Sequence, residues 1–337
     1  MIHIDGSQGE GGGQILRTSL ALSLVTGKPF RITKIRARRA RPGLRRQHLT
    51  AVLAAAEVGR ARCRGADLES RELEFVPDAV RPGRYDFDVG TAGSTTLVLQ
   101  TILPALLSGD GPSQLVLDGG THNIHAPPVD FLRLAFLPVV ERMGPKVDVR
   151  LERAGFYPAG GGRIAVEVQP APTLRRVEIS ERGKIVRRLA LGVVSKLPLH
   201  IAEREVDTVR RHLGWPRGTT AVRQVDSPGP GNVVTIEIHS EHATEVFTGF
   251  GQRGVPAEKV AAGAAREARR YLDVGVPVGA HLADQLLVPM AVAAGGSFRT
   301  TAPSDHATTN VETIRRFLDV KITAAEIGAG VWQVDVG

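Results

Sequence analysis

The stretch Ile4 to Arg17 decides the fold, and it reads Ile-Asp-Gly-Ser-Gln-Gly-Glu-Gly-Gly-Gly-Gln-Ile-Leu-Arg. Its five glycines separate a short apolar run from an amphipathic one, so the backbone must turn sharply and approach other atoms closely. A helix that begins just after the glycines would place Gln14 and Arg17 on one face, with Glu10 in the turn at its positive end. Such a turn suits a phosphate with its metal ion, but it is equally compatible with a purely structural strand-to-helix connection.

Two common nucleotide-binding signatures are absent from this sequence. A dinucleotide fingerprint that began with Gly9 and Gly11 would need its third glycine at position 14, where the chain has Gln14. A phosphate loop would end in glycine-lysine-serine or glycine-lysine-threonine, and neither occurs in the sequence. A nucleotide, if one binds, must therefore be held in another way.

Composition predicts a globular protein with phosphate-bearing partners. The chain has 337 residues, of which 42% are hydrophobic, so it is long enough for two domains. Its net charge is +8 and its pI is about 10.1, which favours anionic partners, although an arginine-rich solvated surface explains the same numbers. Aromatic residues make up only 4%, so extensive base-stacking platforms are not expected.

The single cysteine and the amino terminus predict the compartment. Cys63 has no partner for an internal disulfide or a thiolate metal site, which favours a reducing cytoplasm. The sequence has no basic-then-apolar signal at its start, and the apolar run Leu20 to Val25 is too short to span a bilayer. We therefore expect no membrane insertion.

The sequence pattern repeats. A strand, a glycine turn, a helix and a second strand occupy residues 5–35, and the same order restarts at Gly90 and continues to residue 168. The order strand-helix-strand-helix-strand-strand thus occurs twice, over roughly 80 residues each, and the final segment predicts a further copy. We predict an α/β fold with a large repeat domain formed by residues 1–181 and 275–337, and a smaller inserted α/β domain at 182–274.

Several polar residues are candidates for chemistry. His306 lies in Pro303-Ser-Asp-His-Ala-Thr-Thr-Asn310, a predicted polar turn before a helix at Thr308 to Phe317, and a neutral imidazole can act as a base, ligand or nucleophile. Solvated or core histidines are nevertheless common. His122 and His125 have a metal-compatible spacing, but no cysteine or run of carboxylates joins them nearby, so we interpret them as part of a loop, Thr121 to Pro128. Six arginines suited to phosphate oxygens, or simply solvated, follow the first repeated strand: Arg36, Arg38, Arg39, Arg41, Arg45 and Arg46.

Five stretches in the right order resemble the RNA 3'-terminal phosphate cyclase family, and together they cover nearly the whole chain. They are Asp5 to Arg17, Arg41-Pro-Gly-Leu-Arg-Arg-Gln-His-Leu-Thr50, Gly93-Ser-Thr-Thr-Leu-Val-Leu-Gln100, Gly155-Phe-Tyr-Pro-Ala-Gly-Gly-Gly162, and His281-Leu-Ala-Asp-Gln285 through His306. The resemblance implies an ATP-dependent enzyme that converts an RNA 3'-phosphate into a 2',3'-cyclic phosphodiester. It also implies that His306 forms a covalent histidine-AMP intermediate and that AMP passes to the RNA end as RNA(3')pp(5')A.

The resemblance also implies the binding residues. Arg17, Arg36 and a divalent metal, Mg²⁺ or Mn²⁺, at Glu10 would neutralise phosphate charge. The nucleotide pocket would be lined by Gln14, Gln47, Gln100, Pro127, Phe247, His281, Leu282, Ala283, Asp284 and Gln285. The main alternative is a non-catalytic RNA-processing scaffold of the same fold, and a third hypothesis is an enolpyruvyl-type transferase built from similar repeats.

Overall fold

The glycine-rich segment connects strand β1 (Ile2–Asp5) to helix α1 (Gln14–Thr26) in a computed structural model that describes residues 1–293 and 295–337. Helix α1 is capped at its carboxyl end by Gly27, which adopts the left-handed conformation with φ of 68°. Gly9 also has a positive φ, and a Cβ atom there would lie 2.1 Å from the Thr309 side chain. A glycine is therefore required where this turn meets a distant part of the chain.

The first unit has the predicted order strand-helix-strand-helix-strand-strand. Its sheet order is β1-β2-β4-β3, with β1 and β2 parallel and the remaining pairs antiparallel. The parallel pair requires a crossover helix, which α1 supplies. The other elements are β2 (Phe30–Thr33), α2 (Arg46–Val58), β3 (Arg62–Arg64) and β4 (Leu73–Val76).

The second unit repeats this arrangement with the sheet order β5-β6-β8-β7. Its second helix contains a π-helical turn at Leu132–Phe136. The elements are β5 (Arg84–Asp88), α3 (Thr95–Leu106), β6 (Ser113–Gly119), α4 (Val129–Phe131), α5 (Leu137–Arg142), β7 (Lys146–Arg153) and β8 (Gly162–Gln169).

The third unit begins with β9 (Val177–Ile179), after which a separate sheet interrupts it. That sheet has the order β11-β10-β12-β13 and is covered by two helices that pack on each other and on its strands. The elements are β10 (Ile185–Ser195), α6 (His200–Leu213), β11 (Thr220–Gln224), β12 (Gly231–Ser240), β13 (Thr244–Phe250) and α7 (Ala257–Val274).

The third unit then resumes and closes the chain. Its sheet order, β9-β14-β16-β15, matches the other two units, with β9 and β14 parallel. The repeated α/β fold predicted from sequence is therefore confirmed. The remaining elements are α8 (Ala280–Val292), β14 (Gly296–Thr300), α9 (Asp305–Phe317), β15 (Ile322–Gly328) and β16 (Val331–Val336).

One hydrophobic core joins the three units and fixes α1 against α9. Phe30 of the first unit packs on Phe75 and on Phe317 of the third unit, with ring centroids 5.7 and 5.9 Å apart. Burying each such side chain contributes about 1.5–3 kcal/mol. The interrupting segment has its own core, which includes Trp215 and Tyr271. No helix among the described residues has the length and apolarity needed to span a bilayer.

Candidate active site

His306 lies on the first turn of α9, with its side chain 55% exposed. The prediction that this helix begins at Thr308 is wrong, because the helix begins at Asp305. The Ser304 hydroxyl accepts a hydrogen bond from the Ala307 N–H at 3.1 Å and so caps the helix three residues earlier. The imidazole is consequently held on a helix rather than on a loop.

The two ring nitrogens of His306 face different partners. Nδ1 lies 2.8 Å from Oε1 of Gln14, and Nε2 lies 3.4 Å from Oε2 of Glu10. The Gln14 amide nitrogen donates to Asp284 Oδ1 at 2.8 Å, which fixes the amide so that its oxygen points at the ring. Nδ1 therefore carries the proton in the neutral ring, and the lone pair is on Nε2.

Asp284 anchors this arrangement from α8. Its side chain is buried, and it accepts hydrogen bonds from Gln14, from Asn310 at 3.2 Å and from Gln285 at 3.1 Å. Burial raises the pKa of Asp284, an effect that the Gln14 hydrogen bond and the nearby His306 oppose. The donors on both carboxylate oxygens fix Gln14, and through it the orientation of the imidazole.

All three units contribute to this network. Gln285 on α8 accepts a hydrogen bond from the Gln100 side chain on α3, while Gln14 comes from α1. The Glu10 N–H contacts the Thr309 hydroxyl at 3.4 Å, which ties the glycine turn to α9. The site thus exists only because the units pack together.

Arginines surround the carboxylate of Glu10. Arg39 pairs with Glu10 at 2.8 Å. Arg17 is partly buried and makes no side-chain hydrogen bond to the described residues; desolvation lowers its pKa to about 10, although Glu10 and Asp284 oppose that shift. Arg36, with φ of 53°, donates to the backbone oxygens of Arg41 and Gly43, and burial lowers its pKa. Among the described residues, Arg17 and Arg36 therefore form no ion pair within 4 Å, which leaves their charge for a phosphate.

His48 belongs to the same region, and sequence reasoning did not identify it. It is buried on α2, and a Cβ atom on Gly13 would lie 2.4 Å from its ring. Desolvation, followed by the charges of Arg17, Arg36 and Arg45, lowers its pKa to about 2. Its Nδ1 has no hydrogen-bond partner in the described part of the chain. His48 is therefore a neutral ring among cations.

The other predicted site residues lie outside the hydrogen-bond network of His306. Gln47 accepts a hydrogen bond from the Ser94 N–H at 2.9 Å, and the Pro127 carbonyl accepts one from Thr96 at 2.7 Å. Phe247 is buried against Tyr271 with centroids 5.4 Å apart. His281 lies 3.8 Å from the Glu267 carboxylate, and this neighbouring carboxylate raises the His281 pKa. Leu282 and Ala283 are buried.

Sequence reasoning missed Asn310 and Thr309 as well. Asn310 is four residues after His306 on α9, donates to Asp284 and accepts from Thr18 at 2.8 Å. If Ser304 had been recognised as the helix cap, the i, i+4 spacing would have placed Asn310 on the same face of the helix as His306.

Glu10 is compatible with a shared metal ion. The described residues contain no group of three or more His, Cys, Asp or Glu side chains that could hold a metal alone. Mg²⁺, however, is commonly bound by one or two carboxylates together with substrate phosphates and water. The single Glu10 carboxylate, which is 13% exposed and pairs with Arg39, fits that mode and does not fit an all-protein cage.

Comparison with known proteins finds a matching family model and similar relatives that share one name. A family model described as RNA 3'-terminal phosphate cyclase matches residues 8–324. The chain is 54% identical to the RNA 3'-terminal phosphate cyclase of Koribacter versatilis, over 97% of this chain and 92% of the relative. It is 51% and 50% identical to the proteins of that name from Pseudomonas fluorescens and Ralstonia nicotianae, over 99% of this chain and 97% of each relative.

Proposed function

Because the chain belongs to the RNA 3'-terminal phosphate cyclase family, we propose that it uses ATP to convert the 3'-phosphate of an RNA end into a 2',3'-cyclic phosphodiester. A phosphate monoester is a poor electrophile, since its oxygens are poor leaving groups. Joining it to AMP supplies a leaving group and divides one difficult step into easier ones.

In the first proposed step, Nε2 of His306 attacks the α-phosphorus of ATP. A phosphorus-nitrogen bond forms, the bond from that phosphorus to the oxygen bridging to the β-phosphate breaks, and pyrophosphate leaves. The observation that supports this proposal is that the two ring nitrogens have different partners: Nδ1 is held by Gln14, while Nε2 lies 3.4 Å from Glu10 in a side chain that is 55% exposed. Asp284 supports Gln14 and so preserves this tautomer.

In the second step, an oxygen of the RNA 3'-phosphate attacks the same phosphorus and breaks the phosphorus-nitrogen bond, giving RNA(3')pp(5')A. In the third step, the neighbouring 2'-hydroxyl attacks the 3'-phosphate, loses its proton and expels AMP. Arg17 and Arg36 would stabilise the charge on the phosphates during these transfers. Arg17 is suited to this role because it is desolvated beside Glu10 and its side chain makes no hydrogen bond to the described residues.

We also propose the remaining binding roles. Glu10 would hold a divalent cation, Mg²⁺ or Mn²⁺, that neutralises phosphate charge when it is bound. The nucleotide would be enclosed by residues from the large domain, 1–181 and 275–337, and by Phe247 from the inserted domain, 182–274. The large-domain residues are Gln14, Gln47, Gln100, Pro127, His281, Leu282, Ala283, Asp284 and Gln285.

Incubation with α-³²P-ATP and Mg²⁺ tests the proposal. We expect acid-labile label on the protein that disappears in His306→Ala and persists in His125→Ala, which alters an exposed histidine elsewhere. We also expect a cyclic end to form on RNA that terminates in a 3'-phosphate and not on RNA that terminates in a 3'-hydroxyl. Label that survives in His306→Ala would refute the nucleophile, and RNA binding without any label would favour the non-catalytic scaffold.

A further inference from the structure

A cavity of about 420 Å³ lies on the side of α8 and α9 that faces the third sheet. Its walls are largely apolar and include Leu287, Phe298, Val311, Ile322 and Trp332. Pockets of about 300–1,000 Å³ with mostly apolar walls and a few polar groups are characteristic of small-molecule sites. The size and lining of this cavity therefore match a ligand site.

The cavity exists because small side chains face it from both helices and from the edge strand. Ala280 and Ala283 line it on α8, Ala307 on α9, and Ala324 on β15. A gap of this kind loses the dispersion contacts that larger side chains would make. A ligand that filled the gap would restore those contacts.

A buried hydroxyl in this cavity lacks a partner. Thr300 lines the cavity and is 1% exposed, and its Oγ1 makes no hydrogen bond to the described residues. Buried polar atoms are nearly always satisfied, so this hydroxyl is available to a water molecule or to a ligand atom that can hydrogen-bond to it. A purely hydrocarbon occupant would leave Thr300 unsatisfied.

The charge of the cavity lining is one-sided. Among the described lining residues, Arg315 is the only charged one, and no acidic residue joins it. One of its terminal nitrogens donates to the Ile322 carbonyl at 2.6 Å, which fixes the guanidinium and leaves its other N–H groups for a ligand. Charge complementarity therefore favours an anion over a neutral or cationic ligand.

We propose that this cavity binds a small amphipathic anion with a flat apolar body. The body would lie between Trp332 and the aliphatic walls, a polar atom would accept from the Thr300 hydroxyl, and a carboxylate or comparable group would pair with Arg315. The cavity and the catalytic network share α9, since Ser304 and Thr308 line the former and His306 belongs to the latter.

The two tryptophans of the chain allow a direct binding test. In Trp215→Phe, Trp332 is the only tryptophan, so energy transfer to 8-anilinonaphthalene-1-sulfonate reports on this cavity. We expect saturable binding that 2-naphthoate displaces at least about tenfold more effectively than the neutral 2-naphthylmethanol, because a charge-assisted hydrogen bond is lost with the neutral compound. Equal displacement by both compounds would overturn the assignment of an anion.

Variants in the same background locate the site. Arg315→Gln should weaken binding of 2-naphthoate about tenfold, whereas Arg316→Gln, an exposed neighbour on α9, should not. Thr300→Val should weaken binding severalfold without lowering the unfolding midpoint, because the hydroxyl it removes has no protein partner. Ala324→Phe, at an exposed position of β15, should block binding even if Arg315→Gln fails to fold. Unchanged binding in Ala324→Phe, or no saturable binding in the parent, would refute the proposal.

Discussion

His306 and His122 occupy comparable places in two copies of the same structural unit, yet their surroundings differ in kind. Each follows the second strand of its unit, His306 after β14 and His122 after β6. The His306 side chain is 55% exposed, whereas that of His122 is 3% exposed. The place in the repeat therefore does not decide whether a histidine can do chemistry.

His122 is fully occupied by structural contacts. Its Nδ1 lies 2.8 Å from the Thr121 hydroxyl, its Nε2 lies 3.2 Å from Asp130, and Phe156 stacks on its ring with centroids 5.2 Å apart. Burial alone would raise the pKa of Asp130, but the hydrogen bond to His122 and nearby arginines more than offset it and lower that pKa. Neither nitrogen of His122 is available to a substrate.

The glycine turn Gly155 to Gly162 explains why His122 is buried. Cβ atoms on Gly231 and Gly161 would lie 2.2 Å from the Phe156 ring and 2.8 Å from Pro228, so the turn packs closely against the segment that interrupts the third unit. The turn carries Phe156 over His122, and we assign it a structural role.

The largest expected effect concerns His306, the exposed histidine of the pair. His306→Ala should reduce transfer of label from ATP to the protein by at least about a thousandfold, because no other group replaces the nucleophile. Its thermal unfolding midpoint should stay near the parent value, since the ring is half exposed. Rapid-quench labelling and thermal unfolding of the same preparations provide both readouts, and a His306→Ala protein that unfolds readily would undo the contrast with His122.

The next effect concerns charge without a counterion. Arg17→Met should lower the labelling rate about 100- to 1,000-fold, as expected for the loss of one preorganised donor to phosphate. The free energy of unfolding without ATP should not fall, because the change removes a desolvated cation that has no protein partner in the described residues. Urea denaturation measures this, with the exposed Arg316→Met as the control, and marked destabilisation by Arg17→Met alone would show that Arg17 is structural.

For His122, the buried histidine of the pair, we expect the reverse: a loss of stability with little change in labelling. His122→Ala should cost about 2–4 kcal/mol of stability, because it removes two buried hydrogen bonds and leaves space beside Phe156. The labelling rate per folded molecule should change little. His125→Ala, in the same loop but exposed, is the matched control. A stable but inactive His122→Ala protein would place His122 in the chemistry and remove the distinction.

The smallest effect uses a third histidine, His48, which follows the second strand of the first unit. Its folded pKa of about 2 is below the ordinary value of about 6.5, so between these values the unfolded chain binds a proton that the folded chain does not. Above about pH 6.5 His48 is neutral in both states and its titration does not lower the free energy of unfolding. As the pH falls below that value, the free energy of unfolding decreases by at most about 1.4 kcal/mol per pH unit.

Comparing urea midpoints of the parent and His48→Asn at pH 7 and pH 5 isolates this contribution. Glu205 and Glu245 have pKa values raised by burial to about 8 and about 7, so their contributions change with pH in the opposite sense and cancel in the difference between the two proteins. We expect the parent to lose more stability than His48→Asn on acidification. Equal losses would mean that His48 accepts a proton in the folded protein.

Much of the fold was predictable because its signals are local. One strand-helix crossover is predicted by three local features: the spacing of leucines in α1, the glycine that ends this helix and the glycine turn before it. Repetition of that pattern indicated repeated units, and the structure confirms three. The start of α9 was misjudged because Ser304 was interpreted as part of a loop rather than as a helix cap.

By itself, then, the sequence determined the repeated architecture, the glycine turn at Glu10 and, through family motifs, the choice of His306. Only the tertiary structure decided that His306 is exposed, that His122 is buried, and that Arg17 forms no ion pair with the described residues. The physical reason is separation along the chain. Gln14 and His306 are 292 residues apart, so their contact depends on how the first and third units pack. No local propensity encodes that packing; it arises from burial of the shared core around Phe30 and Phe317.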